Sequence, residues 1–295
     1  MKFYKPSAAF VYKKETRHNL LSGITEKYSI DKFQKNLESL KILDVQKYHV
    51  THLFYEYALW QNKIDHVSDE ILAVEIIYTK MSEVHCKDIK DEMCNFREIS
   101  KPDFGNYQQN LKNIQRDISL GKYYQINFTQ KWSFKLNHAC DHYIQKFLSS
   151  QKLISPMAHL TIIPQLAKVW LSNSPECLFV IKKKEQEILV DTFPIKGTAS
   201  LSKGVSAAKV FLKNSIKDQA ELDMITDLLR NDLNKLQVPQ AEVLKKRFFF
   251  RVPGLLQQAS WIRGVFTKEL TLGLLVKALF PGGSITGAPK IAAMK

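Results

Sequence analysis

Leu222, Ile225, Leu229 and Leu233 recur three and four residues apart, which predicts a helix over 217–233 with a single apolar stripe. The same period predicts helices over 30–40, over 106–120 (ended by Gly121) and over 207–214. Runs with strand character fall at 73–78, 123–134, 160–163, 168–171, 178–181 and 187–190. Phe248, Phe249 and Phe250 would alternate between the faces of a further strand, so at least one face should be core. Strands and helices arrive in mixed order instead of strict alternation. The pattern therefore predicts an α+β fold over a parallel doubly wound one. A charged, turn-prone stretch over 87–105, with Pro102 and Gly105, separates an N-terminal α+β subdomain, 1–100, from a second domain, 106–295.

Bulk composition narrows the class without naming a chemistry. At 295 residues the chain suits one large or two modest domains. No apolar run is long enough to span a bilayer, and the charged start at Met1–Lys5 leads into no apolar core, so neither membrane insertion nor a secretory signal is expected and the cytoplasm is the default. Cys86, Cys94, Cys140 and Cys177 include no CxxC pair, which argues against a zinc ribbon or a disulfide framework. The net charge of +14 fits either a nucleic-acid surface or a lysine-rich protein that draws in anionic substrates. Lysines and arginines are spread along the chain, with short runs only at Lys182–Lys184 and Lys245–Arg247, so the second reading is favoured and no nucleic-acid partner is expected.

Candidate chemistry begins at Pro194-Ile195-Lys196-Gly197-Thr198, which reads as a turn after the 187–190 strand. Pro194 fixes the backbone and Gly197 lets it bend, so Lys196 is held where it can point into a cleft. A lone lysine in such a turn is more often simply solvated. Glu176, in Ser174-Pro175-Glu176, is either a carboxylic acid suited to proton transfer or a plain strand-end residue. Gly282 to Lys290 has the glycine spacing of a phosphate loop, but Ala288-Pro289-Lys290 stands where such a loop needs Lys-Ser/Thr. What remains is a glycine-rich turn feeding a helix, with Pro289 suited to its first turn and backbone N–H groups that favour an anion such as a carboxylate. His138 and His142 are four apart and could share a helical face, but no second ligand cluster stands near them in sequence.

Five segments carry a resemblance when taken in order. They are Tyr124-Gln125-Ile126-Asn127-Phe128-Thr129, Ser174-Pro175-Glu176, Pro194 to Thr198, Lys217 to Glu221 running into Asp227-Leu228-Leu229-Arg230-Asn231-Asp232, and Phe280 to Lys290. The series resembles the chorismate-utilising enzymes from about residue 106 to the last. Lys196 points to the aminodeoxychorismate synthase branch (component I), because anthranilate synthases usually carry Ala there. The resemblance implies an α/β sandwich of antiparallel sheets flanked by helices. It further implies conversion of chorismate and ammonia to 4-amino-4-deoxychorismate, in the folate and p-aminobenzoate pathway. Lys196 would attack C2 and Glu176 would serve as general acid/base at the C4 hydroxyl. Gly197, Thr198, Gly282 and Gly283 would line the substrate site, and Glu221 would bind Mg²⁺. Asp223, Asp227 and Asp232 are expected to be solvated or helix-end residues. With no glutaminase signature in the chain, ammonia would come from a separate glutamine amidotransferase subunit in a hetero-dimer.

Two departures qualify what the resemblance implies. Gln257 stands where relatives commonly carry a site histidine, and glutamine can donate a hydrogen bond but cannot pass a proton at neutral pH. The family's second metal carboxylate and a carboxylate-binding arginine would lie beyond Lys295, so the chain is expected to be C-terminally truncated. Anthranilate synthase component I, an isochorismate or salicylate synthase, and an inactive chorismate-binding remnant that docks a glutaminase stand as the alternatives. The Leu-Leu-Glu-Ser type segment of the tryptophan pocket is missing from the N-terminal third, so tryptophan binding is not expected.

Overall fold

Packing in this protein does not follow chain order. The computed structural model describes residues 2–40, 48–64, 70–83, 96–136, 140–149, 154–236, 241–267 and 270–295. The chain forms two compact units: Lys2–Ser82 joined with Ser155–Ser284, and Glu83–Ile154 joined with Ile285–Lys295. This partition differs from the linear division at 100–106. The N-terminal segment packs with a residue more than 200 positions later, as its core shows.

That segment runs β1 (Lys2–Tyr12), β2 (Thr16–Asn19), β3 (Thr25–Lys27), α1 (Ile30–Ser39), β4 (Tyr48–Leu53), α2 (Tyr55–Gln61) and β5 (Ala73–Glu83). The strands form a sheet in the order β3-β2-β1-β5-β4. Helix α1 begins where the Ser29 hydroxyl accepts from the Asp31 N–H, and it buries Ile30, Phe33 and Leu37. These residues share a core with Tyr12, Tyr57, Leu72 and Val276, and Val276 belongs to a helix late in the chain. The helix predicted over 30–40 is α1, and the 73–78 strand is the first half of β5.

The smaller unit holds β6 (Phe96–Ser100), α3 (Phe104–Ser119), β7 (Gln125–Ile126), β8 (Ser133–Leu136) and α4 (Cys140–Ser149). Strands β6 and β8 pair antiparallel. The single strand predicted over 123–134 is a correction: β7 and β8 are separate, with different partners. Among the described residues, strand β7 pairs with just Gly287–Ala288, and the proline that follows, Pro289, has no N–H to extend the ladder. Much of the 87–105 stretch, together with Cys86, Cys94 and His138, lies outside the described residues.

The rest of the larger unit runs β9 (His159–Ile163), β10 (Lys168–Ser172), β11 (Cys177–Lys184), β12 (Glu187–Phe193), β13 (Ile195–Ser200), α5 (Val205–Asn214), α6 (Ile216–Asn234), β14 (Ala241–Val252), β15 (Leu255–Phe266) and α7 (Leu272–Leu279). Strand β15 is the spine of an antiparallel sheet, pairing with β12 and β13 along one side and with β14 along the other. Helix α6 covers one face, where Ile225, Leu229 and Leu233 pack with Val190, Ile262 and Phe266. Ser215 ends α5 and caps α6, accepting from the Asp218 N–H. The three phenylalanines alternate as expected in β14. Phe249 packs with the Ala208–Leu212 cluster of α5, and the rings of Phe248 and Phe250 lie 6.1 Å apart on the other side.

Three local expectations need correction. Residues 194–198 are not a free turn but the passage of β12 into β13, bound to β15 on both sides of Pro194. A bulge at Lys196–Gly197 takes up the extra residue, and Gly197 sits at φ +91°, which a side chain would strain. The glycine-rich segment forms short α8 (Gly283–Thr286), β16 (Gly287–Ala288) and α9 (Lys290–Met294), with Pro289 as N-cap of α9 instead of inside its first turn. Asp223 is not simply solvated but ion-paired to Arg247 and Lys246, while Asp232, in the last turn of α6 as expected, is buried and paired to Lys235.

Candidate active site

Glu176, Lys196 and Glu221 come from three different elements and converge. Glu176 ends the loop before β11, and its N–H is fixed by the Ser174 hydroxyl at 3.1 Å. Its carboxylate accepts from the Ser284 side chain and the Ile195 backbone, and it lies within the field of the Lys196 ammonium. Burial outweighs these three and pushes the Glu176 carboxyl above its ordinary range. Such a group holds a proton where a solvated carboxylate would have lost it.

Lys196 lies on the bulge of the β12–β13 passage with its side chain 19% exposed, and its Nζ is 3.7 Å from Glu221 Oε2. Glu221 sits on the second turn of α6, beside the apolar stripe, and its other oxygen is 3.8 Å from Lys217 Nζ one turn earlier. Gly197 packs tightly: a β-carbon there would meet Leu212 and Asp218 at 3.2 Å each. Gly283 faces Leu228 of α6, and Gly282 lies near Leu178 of β11. Both glycines are buried.

Thr198 is placed differently. Its hydroxyl donates to Gln257 Oε1 at 2.7 Å, and the two are register partners. Their neighbours Ala199 and Leu256 pack under α5, so alternation puts Thr198 and Gln257 on the opposite sheet face. Ser284, the partner of Glu176, escaped the reading of the sequence, although it stands in the glycine-rich segment already singled out. The i, i+4 pair of Lys217 and Glu221 was likewise legible from spacing alone.

Metal ligands are sparse. Among the described residues no group of three or more His, Cys, Asp and Glu side chains is arranged to hold a metal ion, and His142 lies on α4 away from any such group. Glu221 offers one carboxylate. Mg²⁺ often takes only one or two protein carboxylates and completes its octahedron with waters and substrate oxygens, so this donor fits it in that mode. Among the described residues no helix is long and apolar enough to cross a membrane.

Comparison with known proteins gives the family and the fold. Residues 7–295 match the family model described as chorismate binding enzyme. Aminodeoxychorismate synthase component 1 of Escherichia coli K12 is 34% identical over 194 residues, covering 64% of this chain and 41% of that protein. Anthranilate synthase component 1 of Saccharolobus solfataricus is 32% identical over 145 residues, covering 48% of this chain and 34% of that one. The chain thus spans well under half the length of these two relatives. Among solved structures, anthranilate synthase component I from Streptococcus pneumoniae TIGR4 superposes with a TM-score of 0.73 at 16% identity, over 100% of this chain and 75% of that one. That likeness shows the mixed helix-and-sheet fold with antiparallel sheets.

Proposed function

We infer that this chain, which belongs to the chorismate-binding enzyme family, aminates chorismate at C4 to give 4-amino-4-deoxychorismate. The observation that carries this reading is a half-buried lysine, Lys196, 3.7 Å from Glu221 and within the field of Glu176, a carboxyl whose proton affinity burial raises. The E. coli aminodeoxychorismate synthase component 1 supports the choice within the family.

The neutral Lys196 amine forms a bond to C2 of chorismate while the ring double bond shifts and the C4–O bond breaks. Glu176 gives its proton to the departing hydroxyl, which leaves as water. Ammonia then bonds to C4, the double bond shifts back, and the C2–N bond to Lys196 breaks. The Glu176 carboxylate takes the proton that the incoming nitrogen sheds, so the enzyme is returned to its starting state. Glu221 would hold Mg²⁺, which when bound would offset the charge of a substrate carboxylate. Gly197, Gly282 and Gly283 are proposed to shape the substrate site on the Lys196 side of the sheet, and Thr198, bonded to Gln257 on the other face, to bound it at the strand edge. Ammonia is proposed to come from a separate glutamine amidotransferase subunit, in keeping with the relative's designation as component 1.

Similarity to the anthranilate synthase of S. solfataricus favours a second reading, in which the product is anthranilate. Turnover of the purified chain with chorismate, Mg²⁺ and ammonium separates the two, with a lyase added to turn aminodeoxychorismate into p-aminobenzoate. The expected result is p-aminobenzoate from the native chain and none from Lys196→Ala. Anthranilate as product, or unchanged turnover by Lys196→Ala, overturns the assignment. Chorismate binding without product would mark the chain as a binding remnant.

A further inference from the structure

The sheet face that carries Lys196 has a polar notch for which the chemistry above has no use. At one end of β15, Ile262 packs under α6 with Ile225 and Leu229. At the other, Leu256 packs under α5 with Ala208 and Leu212. Alternation along the strand sets Gln258 and Ser260 between them on the same face. On the neighbouring strand, Thr192 is the register partner of Ile262, and the Ser260 N–H donates to the Pro194 carbonyl at 3.1 Å. Thr192, Pro194 and Lys196 therefore line this face in turn, with the Lys196–Gly197 bulge opposite Gln258.

Three side-chain atoms in this notch, Thr192 Oγ1, Gln258 Nε2 and Ser260 Oγ, are buried without a hydrogen-bond partner. Their residues are 0%, 1% and 0% exposed. Native folds leave few such atoms, and each one calls for a cause. Three on one face, in the row that includes Lys196, have a common one.

We propose that Gln258, with Thr192 and Ser260, forms a substrate-binding subsite beside Lys196 that takes an oxygen of the anionic substrate. An amide Nε2 can only donate, so its missing partner is an acceptor, a carboxylate or hydroxyl oxygen. The two hydroxyls can donate to the same group or to the one next to it. Gly197, in the bulge opposite Gln258, packs against Leu212 of α5 and Asp218 of α6, so this packing must open for substrate to enter. This subsite rests on the reading of Lys196 as the residue that meets the substrate.

The test is chorismate binding by titration calorimetry to the native chain and to Gln258→Leu, Ser260→Ala and Thr192→Val, with melting temperatures measured alongside. Ser260→Ala and Thr192→Val each remove only a polar atom that has no partner, so their thermal stability is expected to hold or rise. Gln258→Leu is expected to weaken chorismate binding about tenfold, the loss of one good hydrogen bond, and to raise KM to match. Affinity within twofold of native for all three variants overturns the subsite, as does a drop in melting temperature with affinity unchanged. Should Gln258→Leu fail to fold, the other two variants decide. Amination by the native chain with unaltered variant affinities removes the subsite and leaves the function standing. Native binding without amination removes the function, while the affinity ratios still judge the subsite. A native chain that does not bind chorismate overturns both.

Discussion

Replacing Asp191 with asparagine tests how the strand leading to Lys196 is held. Asp191 is 1% exposed on β12, and its carboxylate accepts from Arg263 Nε at 2.7 Å, Arg263 Nη2 at 2.8 Å and Trp261 Nε1 at 2.9 Å. Both donors are on β15, so the carboxylate bolts the two central strands together just before the bulge that carries Lys196. In Asp191→Asn one oxygen can still serve Trp261 and Arg263 Nε, but an NH₂ now confronts Arg263 Nη2, donor against donor. Breaking a buried ion pair from one side costs about 3–5 kcal/mol, and a partner able to rehydrate lowers that figure. Arg263 is 25% exposed, so about 2–4 kcal/mol is expected here. That corresponds to a melting-temperature drop of about 3–6 °C for a chain of this size. The sign against pH follows from Arg263 and Trp261, which together hold the Asp191 carboxyl below its usual range despite burial. The native contribution is therefore complete above the unfolded carboxyl value of about 3.9 and is lost as pH falls through the lower folded value. Urea unfolding of both proteins at pH 8, 6 and 4, followed by circular dichroism, gives the comparison. A gap under about 0.5 kcal/mol, or one that shrinks between pH 8 and 6, refutes the reasoning.

Glu176→Gln should abolish turnover while gaining stability over the native chain as pH rises from 4 to 7. Burial raises the Glu176 carboxyl, so between the unfolded carboxyl value of about 4.3 and the higher folded value the folded state keeps a proton the unfolded state has shed, and native stability declines. A stability difference that stays flat with pH would contradict this. Two glycine substitutions should differ sharply in urea unfolding. In Gly273→Ala the new carbon meets the backbone of α1 at Glu38, 2.6 Å from its nitrogen, and about 1–3 kcal/mol or more should be lost. In Gly283→Ala it meets only the Leu228 side chain, 2.9 Å from Cδ2, which can turn aside, so the loss should be well below that of Gly273→Ala. Equal losses would show that neighbour type does not set the cost.

Legibility from sequence followed the strength of the local period. Helix α6 and strands β11 and β12 were readable because one face of each repeats cleanly against a single core. The β12–β13 passage was not, since Pro194 and Gly197 imitate a turn and only pairing with β15 shows the strand continuing through them. Helix α7 hides in the nearly unbroken apolar run Leu272–Leu279, where no polar face marks the period. Within the candidate site, Lys196 and Glu176 stood out locally, as a lysine in a Pro/Gly turn and a carboxyl before a strand, but their roles, and Glu221 altogether, came from family resemblance. Gln258, Ser260 and Thr192 gave no sign at all. A polar residue in a strand is ordinary, and only the register and burial of β15 reveal that these three face inward.

The discontinuous larger unit sets a clock on synthesis. Tyr12, Phe33 and Leu37 share a core with Val276 of α7, so their apolar faces emerge long before that partner is made. At ribosomal rates of about 5–20 residues per second, the interval between α1 and α7 is about 12–48 s. Throughout it the first sheet and helix α1 lack part of their cover, and whatever shields nascent chains must hold them until β15 and α7 arrive.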